Sequence, residues 1–270
     1  MMQLGIVTYN IAKDWDLATI LKRLDALGYE GVELRTSHAH KVEVELTPEE
    51  RRDVKKRFAD STVELAGLGG AFEYHAADPA VVKANIEGTK QYVRLAHDIG
   101  APGVKVRPNG VPKGADADAT FRQIGRALRE VGADAADFGV EIRVEVHGAV
   151  TALVPNLAKI IAYADHPNVF VCWNSNATDV KDASVREHFA LVAPKIREVH
   201  LRDLYDENYP WVELFSLLDA SGFQGYTLAE IPDSPDPDRV LKYFRALWLA
   251  YQPKPKGSQS DRKAGQNIRQ

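Results

Sequence analysis

An acid, a base and an imidazole share one face of a short β-rich stretch, EIRVEVHG, at residues 141–148. Side chains alternate across a β-strand, so Arg143, Glu145 and His147 face one way and three apolar side chains face the other. Glu145 and His147 come last, just before Gly148. Carboxylates and imidazoles bind divalent cations and transfer protons. This strand end therefore predicts a metal site or a site of acid–base catalysis.

Polar side chains also come at the ends of other predicted strands along the chain. If the strands closed into a barrel, these side chains would converge on one mouth, where burying unpaired charges would require a compensating charge. Two glutamates, an imidazole and an amide oxygen would suit a divalent cation. The alternative is that Glu145 and Glu230 form ordinary salt bridges with arginines of the barrel. The polar residues predicted to face the mouth are Glu33, Arg35, Lys105, Arg107, Glu145, His147, Asn174, His200, Arg202 and Glu230.

The elements that must position these residues are β-rich runs that alternate with helical patterns. Strict alternation indicates a parallel sheet, and eight such units are the number that closes a TIM barrel. We therefore expect an α/β protein with a single (β/α)8 TIM barrel over residues 1–252. Strand five is predicted at residues 141–148 and strand eight at residues 226–231. Residues 253–270 are rich in Pro, Gly, Ser and Lys, which predicts a basic, disordered tail.

The charge and apolar pattern of the chain exclude several classes of protein. The net charge is -4, and residues 253–270 carry five Lys or Arg against one Asp, so the rest of the chain has a net charge of about -8. A body of this sign repels phosphate backbones, which argues against a nucleic-acid partner. No apolar run approaches the ~20 residues of a membrane span, and the opening residues lack a secretory pattern, so we expect a cytoplasmic protein. The single cysteine, Cys172, excludes an internal disulfide.

Motifs at the later strand ends resemble those of the sugar phosphate isomerase/epimerase family. These proteins are xylose isomerase-like TIM barrels related to the endonuclease IV type of abasic-site nuclease. Glu145, His200 in HLRD and Glu230 in LAEIP match three of the family's four metal ligands, and the fourth comes from the end of strand six. The GVELR run at residues 31–35 is similar to the family's second strand, and the likeness covers residues 3–250. The resemblance implies a TIM barrel that binds one divalent metal ion.

Strand six departs from the family pattern. The family usually has an aspartate there, followed three residues later by a histidine, whereas this chain has Asn174 and Ala177. An amide oxygen is neutral, so the shell would carry two negative charges rather than three and would bind its metal more weakly. We expect Mn²⁺ or Mg²⁺, with Zn²⁺ or Co²⁺ as alternatives. Asp179 is an alternative ligand if its loop folds back. The implied metal ligands are Glu145, Asn174, His200 and Glu230.

The resemblance implies a proton shift on a sugar or a sugar phosphate. The metal would stabilise an ene-diolate while Glu145 and Glu230, the implied catalytic residues, remove and return the proton from opposite sides of the substrate. The residues implied to hold hydroxyl, carboxylate or phosphate groups of the substrate are His38, His75, Lys105, Arg107, His147 and Arg202.

Other functions stay open at this point. The same site could serve a lyase that dehydrates a keto-polyol, and a barrel that has lost catalysis could bind carbohydrate. A nuclease fits less well, because further His and Asp ligands are missing and the body is acidic. The expected partner is a small carbohydrate, with neither nucleic acid nor membrane. Barrels of this type often pair, which suggests a homodimer.

Overall fold

The fold is a closed barrel of parallel strands surrounded by helices. The computed structural model of the protein describes residues 2–253, and within them each strand pairs in parallel with its two neighbours in sequence order. The eighth strand pairs with the first, with Gly5 opposite Leu228, which closes the ring. The predicted (β/α)8 TIM barrel is confirmed. The predicted tail at residues 253–270 lies outside the described residues, apart from Pro253.

Two strands end earlier than the sequence predicts. The strands are β1 (Gln3–Val7), β2 (Gly31–Arg35), β3 (Glu64–Glu73), β4 (Gly103–Arg107), β5 (Glu141–Glu145), β6 (Val169–Asn174), β7 (Ile196–Leu201) and β8 (Tyr226–Ala229). The chain turns away after β5 and reaches a left-handed φ of 95° at Gly148, so His147 lies in a loop and not on the strand. Glu230 is the first residue after β8. Both side chains still lie at the carboxyl end of the barrel.

An α-helix follows each strand and packs its apolar face on the outside of the barrel. The helices are α1 (Leu17–Leu27), α2 (Pro48–Ala59), α3 (Pro79–Ile99), α4 (Ala117–Asp137), α5 (Val154–Ala164), α6 (Val185–Val192), α7 (Trp211–Ala220) and α8 (Pro237–Tyr251). Helix α2 begins with a capping box, in which the backbone N–H of Thr47 donates to Oε2 of Glu50 at 2.7 Å and the N–H of Glu50 donates to Oγ1 of Thr47 at 3.3 Å. Among the described helices, none is both long and apolar enough to span a membrane.

The inside of the barrel is largely polar. The main hydrophobic core lies between strands and helices, whereas a small apolar cluster of Val7, Ala66 and Leu228 lies inside the ring. Glycines on the inner face make room for larger neighbours, since a Cβ added at Gly31 would overlap the ring of Tyr226. Titratable side chains fill much of the remaining interior and point toward the carboxyl end or lie beneath it. The buried ones are Glu33, Lys105, Arg143, Glu145, Glu198 and His200.

Candidate metal centre

Three potential metal ligands meet at the carboxyl end of the barrel. One oxygen each of Glu145 and Glu230 and one nitrogen of His200 lie within 4.8 Å of one another. Nδ1 of His200 lies 3.6 Å from Oε2 of Glu230 and 3.8 Å from Oε1 of Glu145. This nitrogen is buried and, within residues 2–253, has no hydrogen-bond partner. A buried imidazole nitrogen that faces two carboxylate oxygens suits a cation held between them.

Asn174 lies beside this group. It is paired with His200 in the ladder between β6 and β7. Its side-chain nitrogen donates to Oε1 of Glu145 at 3.0 Å. Coordination would require the amide to turn its oxygen toward the cation. The structure brings Asn174 to the other three residues, and its coordination stays a prediction.

Glu145 also belongs to a buried ion pair. Nζ of Lys105 donates to Oε2 of Glu145 at 2.7 Å, and the two side chains are 4% and 3% exposed. Burial opposes ionisation of Glu145, but Lys105, His200 and His147 together outweigh it and hold the pKa of this carboxyl well below its usual range. Burial would lower the pKa of Lys105, and Glu145 and Glu33 reverse this and raise it. Both groups are therefore charged at neutral pH, and Oε1 of Glu145 remains directed toward His200.

The second imidazole nitrogen of His200 faces a carboxylate from the other side of the barrel. Nε2 lies 3.3 Å from Oε2 of Glu33, and neither side chain is exposed. Burial disfavours the imidazolium ion, yet Cys172, Glu33 and Glu230 together raise the pKa of His200 well above its usual value. Burial would raise the pKa of Glu33, and His200 more than offsets this and lowers it. Glu33 therefore contributes a carboxylate to this part of the barrel.

Three of the predicted substrate-binding residues share a network around Glu73. Nη2 of Arg107 and Nδ2 of Asn109 each donate to Oε1 of Glu73 at 2.6 Å. Nδ1 of His147 lies 2.7 Å from Oδ1 of Asn109. Because an amide oxygen can only accept, Nδ1 of His147 is the donor in this hydrogen bond. Nδ1 of His75 lies 3.9 Å from Oε2 of Glu73. The network covers the side of the mouth formed by β3, β4 and β5.

The other two predicted substrate-binding residues at the mouth lie apart from this network. Nδ1 of His38 and Oγ1 of Thr8 form a hydrogen bond of 2.9 Å. Burial and the nearby His40 lower the pKa of His38 to about 4, so its imidazole is neutral at physiological pH. Nη2 of Arg202 forms an ion pair of 2.8 Å with Asp206 in the loop after β7. Lys105, the remaining residue predicted to bind substrate, donates to Oε2 of Glu145 at 2.7 Å.

Comparisons with known proteins identify the family. Residues 21–250 match the family described as the xylose isomerase-like TIM barrel. The chain belongs to this family. No curated protein matches it in sequence.

Solved structures with the same fold include sugar epimerases. D-psicose 3-epimerase with D-tagatose, from Clostridium cellulolyticum, superposes on this xylose isomerase-like barrel with a TM-score of 0.80 at 15% identity, covering 93% of this chain and 100% of that one. The IOLI protein with a zinc atom superposes with a TM-score of 0.77 at 17% identity, covering 93% of this chain and 98% of that one. A probable 3-DHS dehydratase from Bacillus anthracis superposes with a TM-score of 0.72 at 14% identity, covering 92% of this chain and 99% of that one. At such identities these likenesses establish the fold and leave the reaction open.

Asp179 does not take part in the candidate centre of this barrel. Oδ2 of Asp179 accepts hydrogen bonds from the hydroxyl of Tyr209 at 2.6 Å and from the backbone N–H of Asn176 at 3.0 Å. Burial raises the pKa of Asp179 to about 7. In the part of the chain that the structure describes, Asp179 joins no group of potential metal ligands. The structure therefore gives no support to Asp179 as an alternative ligand.

Asn109 is a site residue that the sequence analysis did not identify. It adopts a left-handed φ of 55° in the loop after β4, where it bridges Glu73 and His147. A Cβ at Gly148 would overlap the backbone of Asn109, so the two loops approach closely enough to hold the bridge. The signal available in the sequence was Pro-Asn-Gly directly after strand four, since Asn is among the few residues that tolerate this conformation.

A cavity of about 520 Å³ opens at the opposite end of the barrel, beside Glu141 and Arg143. The guanidinium of Arg143 is held there by Glu141 at 2.9 Å and by Glu198 at 3.1 Å. TIM barrels carry their chemistry at the carboxyl ends of their strands. The candidate centre lies at that end, so we assign this cavity no part in it.

Proposed function

We propose that this protein is a divalent metal-dependent isomerase or epimerase of a sugar. The observation that carries the proposal is the meeting of one oxygen each of Glu145 and Glu230 with one nitrogen of His200 within 4.8 Å at the carboxyl end of the barrel. Likeness of fold to D-psicose 3-epimerase and to the zinc-containing IOLI protein supports it.

The charges around the centre fit a divalent cation. Three carboxylates and one ammonium group lie together there: Glu33, Glu145, Glu230 and Lys105. A metal bound at Nδ1 would require His200 to be neutral, and the group would then carry two uncompensated negative charges, which a divalent cation would neutralise. The two glutamates of the centre, Nδ1 of His200 and the amide oxygen of Asn174 would hold the cation. When bound, it would supply positive charge to the substrate oxygens beside the carbon that loses its proton.

The two glutamates are proposed to divide the proton transfer between them. Lys105 and the neighbouring histidines together overcome the effect of burial and keep the pKa of Glu145 low, so Glu145 is ionised and able to accept a proton. Its side chain is 3% exposed, whereas that of Glu230 is 22% exposed. Glu230 can therefore exchange its proton with solvent more readily. We assign proton removal to Glu145 and proton return, from the opposite side, to Glu230.

The three cations that were predicted to bind substrate support an uncharged sugar over a sugar phosphate. Lys105 is paired with Glu145, Arg107 with Glu73 and Arg202 with Asp206, at distances of 2.7, 2.6 and 2.8 Å. The positive charge of each of these three side chains is therefore already balanced by a carboxylate. These networks instead offer hydrogen-bond donors and acceptors, which suit the hydroxyl groups of a polyol.

Dehydration is a second reaction that the same groups could perform. Likeness of fold to a probable 3-DHS dehydratase supports it. The first step would again be loss of a proton from carbon to Glu145. The electron pair of the broken C–H bond would then form a C=C bond as the β-hydroxyl departs. Glu230 would donate the proton with which the hydroxyl leaves as water.

Deuterium incorporation from D₂O tests the proposal. The metal-free protein is reconstituted with Mn²⁺ and incubated with ketoses, aldoses and their phosphates, and the products are analysed by mass spectrometry. We expect an uncharged sugar to gain one carbon-bound deuterium together with isomerised or epimerised product, and a chelator to abolish both. An unsaturated product formed with loss of water would identify the dehydratase. Absence of exchange and of product with every sugar at saturating Mn²⁺ would contradict both reactions and leave a carbohydrate-binding barrel.

A further inference from the structure

We propose that Glu33 is a positioning residue. Its carboxylate accepts a hydrogen bond from the Nε2–H of His200 and so directs the Nδ1 lone pair of the imidazole toward the proposed metal. The inference rests on the proposed function, because Glu33 would act on the metal only through its ligand His200. The sequence analysis placed Glu33 at the mouth without giving it a role.

The contact crosses the interior of the barrel. Glu33 lies on β2 and His200 on β7, strands that are separated by β1 and β8 around the ring. Oε2 of Glu33 nevertheless lies 3.3 Å from Nε2 of His200, and both side chains are completely buried. Within residues 2–253, Glu33 is the one hydrogen-bond partner of this imidazole ring. The opposite nitrogen, Nδ1, faces Glu145 and Glu230.

An imidazole ring needs such a partner to serve as a ligand through Nδ1. A neutral ring carries one proton, and a carboxylate beside Nε2 can only accept, so it favours the tautomer with the proton on Nε2. The other nitrogen is then free to bind a metal, and the ring is held in its orientation. Carboxylates that bind ligating histidines in this way commonly contribute tenfold to a hundredfold to metal affinity. Glu33 is suited to this role through its position and not through contact with substrate.

The neighbouring strand leaves space for the carboxylate of Glu33. Gly69 on β3 is paired with Arg35 in the β2–β3 ladder, and a Cβ added at Gly69 would overlap Oε1 of Glu33. Gly67, two residues earlier on the same face, differs, because a Cβ there would lie 3.3 Å from the carbonyl oxygen of Gly103 and 3.4 Å from Arg143. A methyl group at Gly69 would therefore displace the Glu33 carboxylate while leaving its charge and every proposed ligand unchanged. A methyl group at Gly67 would not displace the Glu33 carboxylate.

Two pairs of variants test the proposal by titrating the metal-free full-length protein with Mn²⁺ in a calorimeter. Glu33→Gln is compared with Glu141→Gln, which removes a carboxylate that is bound to Arg143 at the opposite end of the barrel. Gly69→Ala is compared with Gly67→Ala. We expect Glu33→Gln and Gly69→Ala to raise the Kd for Mn²⁺ by about tenfold to a hundredfold, and both controls to change it by less than about threefold. If Glu33→Gln does not fold, the glycine pair decides the outcome.

The results separate this inference from the proposed function. Absence of saturable Mn²⁺ binding by the wild-type protein would overturn the proposed function. Normal wild-type binding with an unchanged Kd in Glu33→Gln and Gly69→Ala would overturn the role of Glu33 alone. Nuclear magnetic resonance of ¹⁵N-histidine-labelled protein loaded with Zn²⁺ gives an independent readout. The Nε2–H of His200, assigned with a His200→Gln variant, should be protected from solvent in the wild type and lose this protection in Gly69→Ala, where the displaced carboxylate no longer accepts its hydrogen bond; equal protection in both would also overturn the role.

Discussion

The ammonium group of Lys105 lies 2.7 Å from Oε2 of Glu145, in a part of the barrel where their side chains are 4% and 3% exposed. The proposed catalytic base is therefore already paired with a buried cation before any metal binds. Burial would raise the pKa of Glu145, but Lys105, His200 and His147 together lower it and keep the carboxylate ionised. A divalent cation approaching Oε1 of Glu145 would meet a carboxylate that is charged and oriented.

Replacing Lys105 by methionine should destabilise the metal-free protein strongly. Removing one member of a buried ion pair leaves the other charge uncompensated, which typically costs about 3–5 kcal/mol. Saturating Mn²⁺ should reduce the loss, because the metal restores positive charge beside Glu145. The free energy of unfolding in urea, measured with and without Mn²⁺, checks both statements. The control is Lys90→Met. Lys90 forms an ion pair with Glu130, whose side chain is 53% exposed, and this pair should contribute under about 1 kcal/mol to stability. Equal small losses in the two variants would contradict the prediction.

Replacing Asn174 by aspartate should tighten metal binding. A carboxylate at this position would add a third negative ligand, and ligand charge is one of the main determinants of cation affinity. We expect the Kd for Mn²⁺ to fall by about tenfold. The metal-free variant should be less stable than the wild type, because the hydrogen bond of 3.0 Å from Asn174 to Glu145 would become a repulsion between carboxylates. Asn208→Asp, in the exposed loop after β7, controls for the change in net charge. An unchanged Kd in Asn174→Asp would remove residue 174 from the metal shell.

Glu145→Gln and Glu230→Gln should each abolish most of the deuterium exchange that the wild type catalyses. A positioned acid or base typically contributes 10²–10⁴-fold to a rate, so we expect losses of about this size at saturating Mn²⁺. Measuring at saturating metal separates loss of the proton acceptor from weaker metal binding. Glu213→Gln, which removes a carboxylate from a surface ion pair with Arg186, should retain the wild-type rate. Retention of the wild-type exchange rate in Glu145→Gln would exclude Glu145 as the base.

Replacing Asp179 by asparagine should stabilise the protein increasingly as the pH rises. Burial raises the pKa of Asp179 to about 7 in the folded protein, above its ordinary value of 3.8. Between these two values the folded chain binds a proton that the unfolded chain has lost, so Asp179 makes the stability fall as pH rises, by up to about 1.4 kcal/mol per pH unit. Asparagine can still accept hydrogen bonds from Tyr209 and Asn176 through its oxygen.

Urea unfolding of the wild type and of Asp179→Asn at pH 4, 6 and 8 measures this difference. The stability of the variant relative to the wild type should increase from pH 4 to pH 8 and level off above the folded pKa. A difference between the two proteins that does not change with pH would contradict the pKa shift. Asp236→Asn, at the start of α8, provides a control in which an exposed carboxyl is lost.

Alternation along the strands was sufficient to predict the barrel and most of the polar residues of its mouth. Glu145, His200 and Glu230 could be grouped from sequence because all come at the ends of strands, and parallel strands of a barrel end on one side. The same reasoning placed Glu33 inside. The departure at strand six was visible because Asn174 occupies the position of an expected aspartate.

The partners of these side chains could not be predicted, because they depend on the stagger of the strands. Lys105 is opposite Arg143 in the β4–β5 ladder, yet it reaches past its neighbour to pair with Glu145. Sequence alone assigned Lys105 to the substrate for this reason. The bridge from Asn109 to His147 depends on the close approach of two loops, which no local pattern specifies.

Titration of the metal-free protein with Mn²⁺, carried out in parallel on the wild type and on His200→Gln, measures whether the two glutamates and His200 form a metal site. We predict one saturable site per chain in the wild type and a loss of affinity of more than about a hundredfold in the variant, because Nδ1 of His200 is the nitrogen that faces both glutamates. No saturable binding by the wild type, or binding that His200→Gln leaves unchanged, would contradict it.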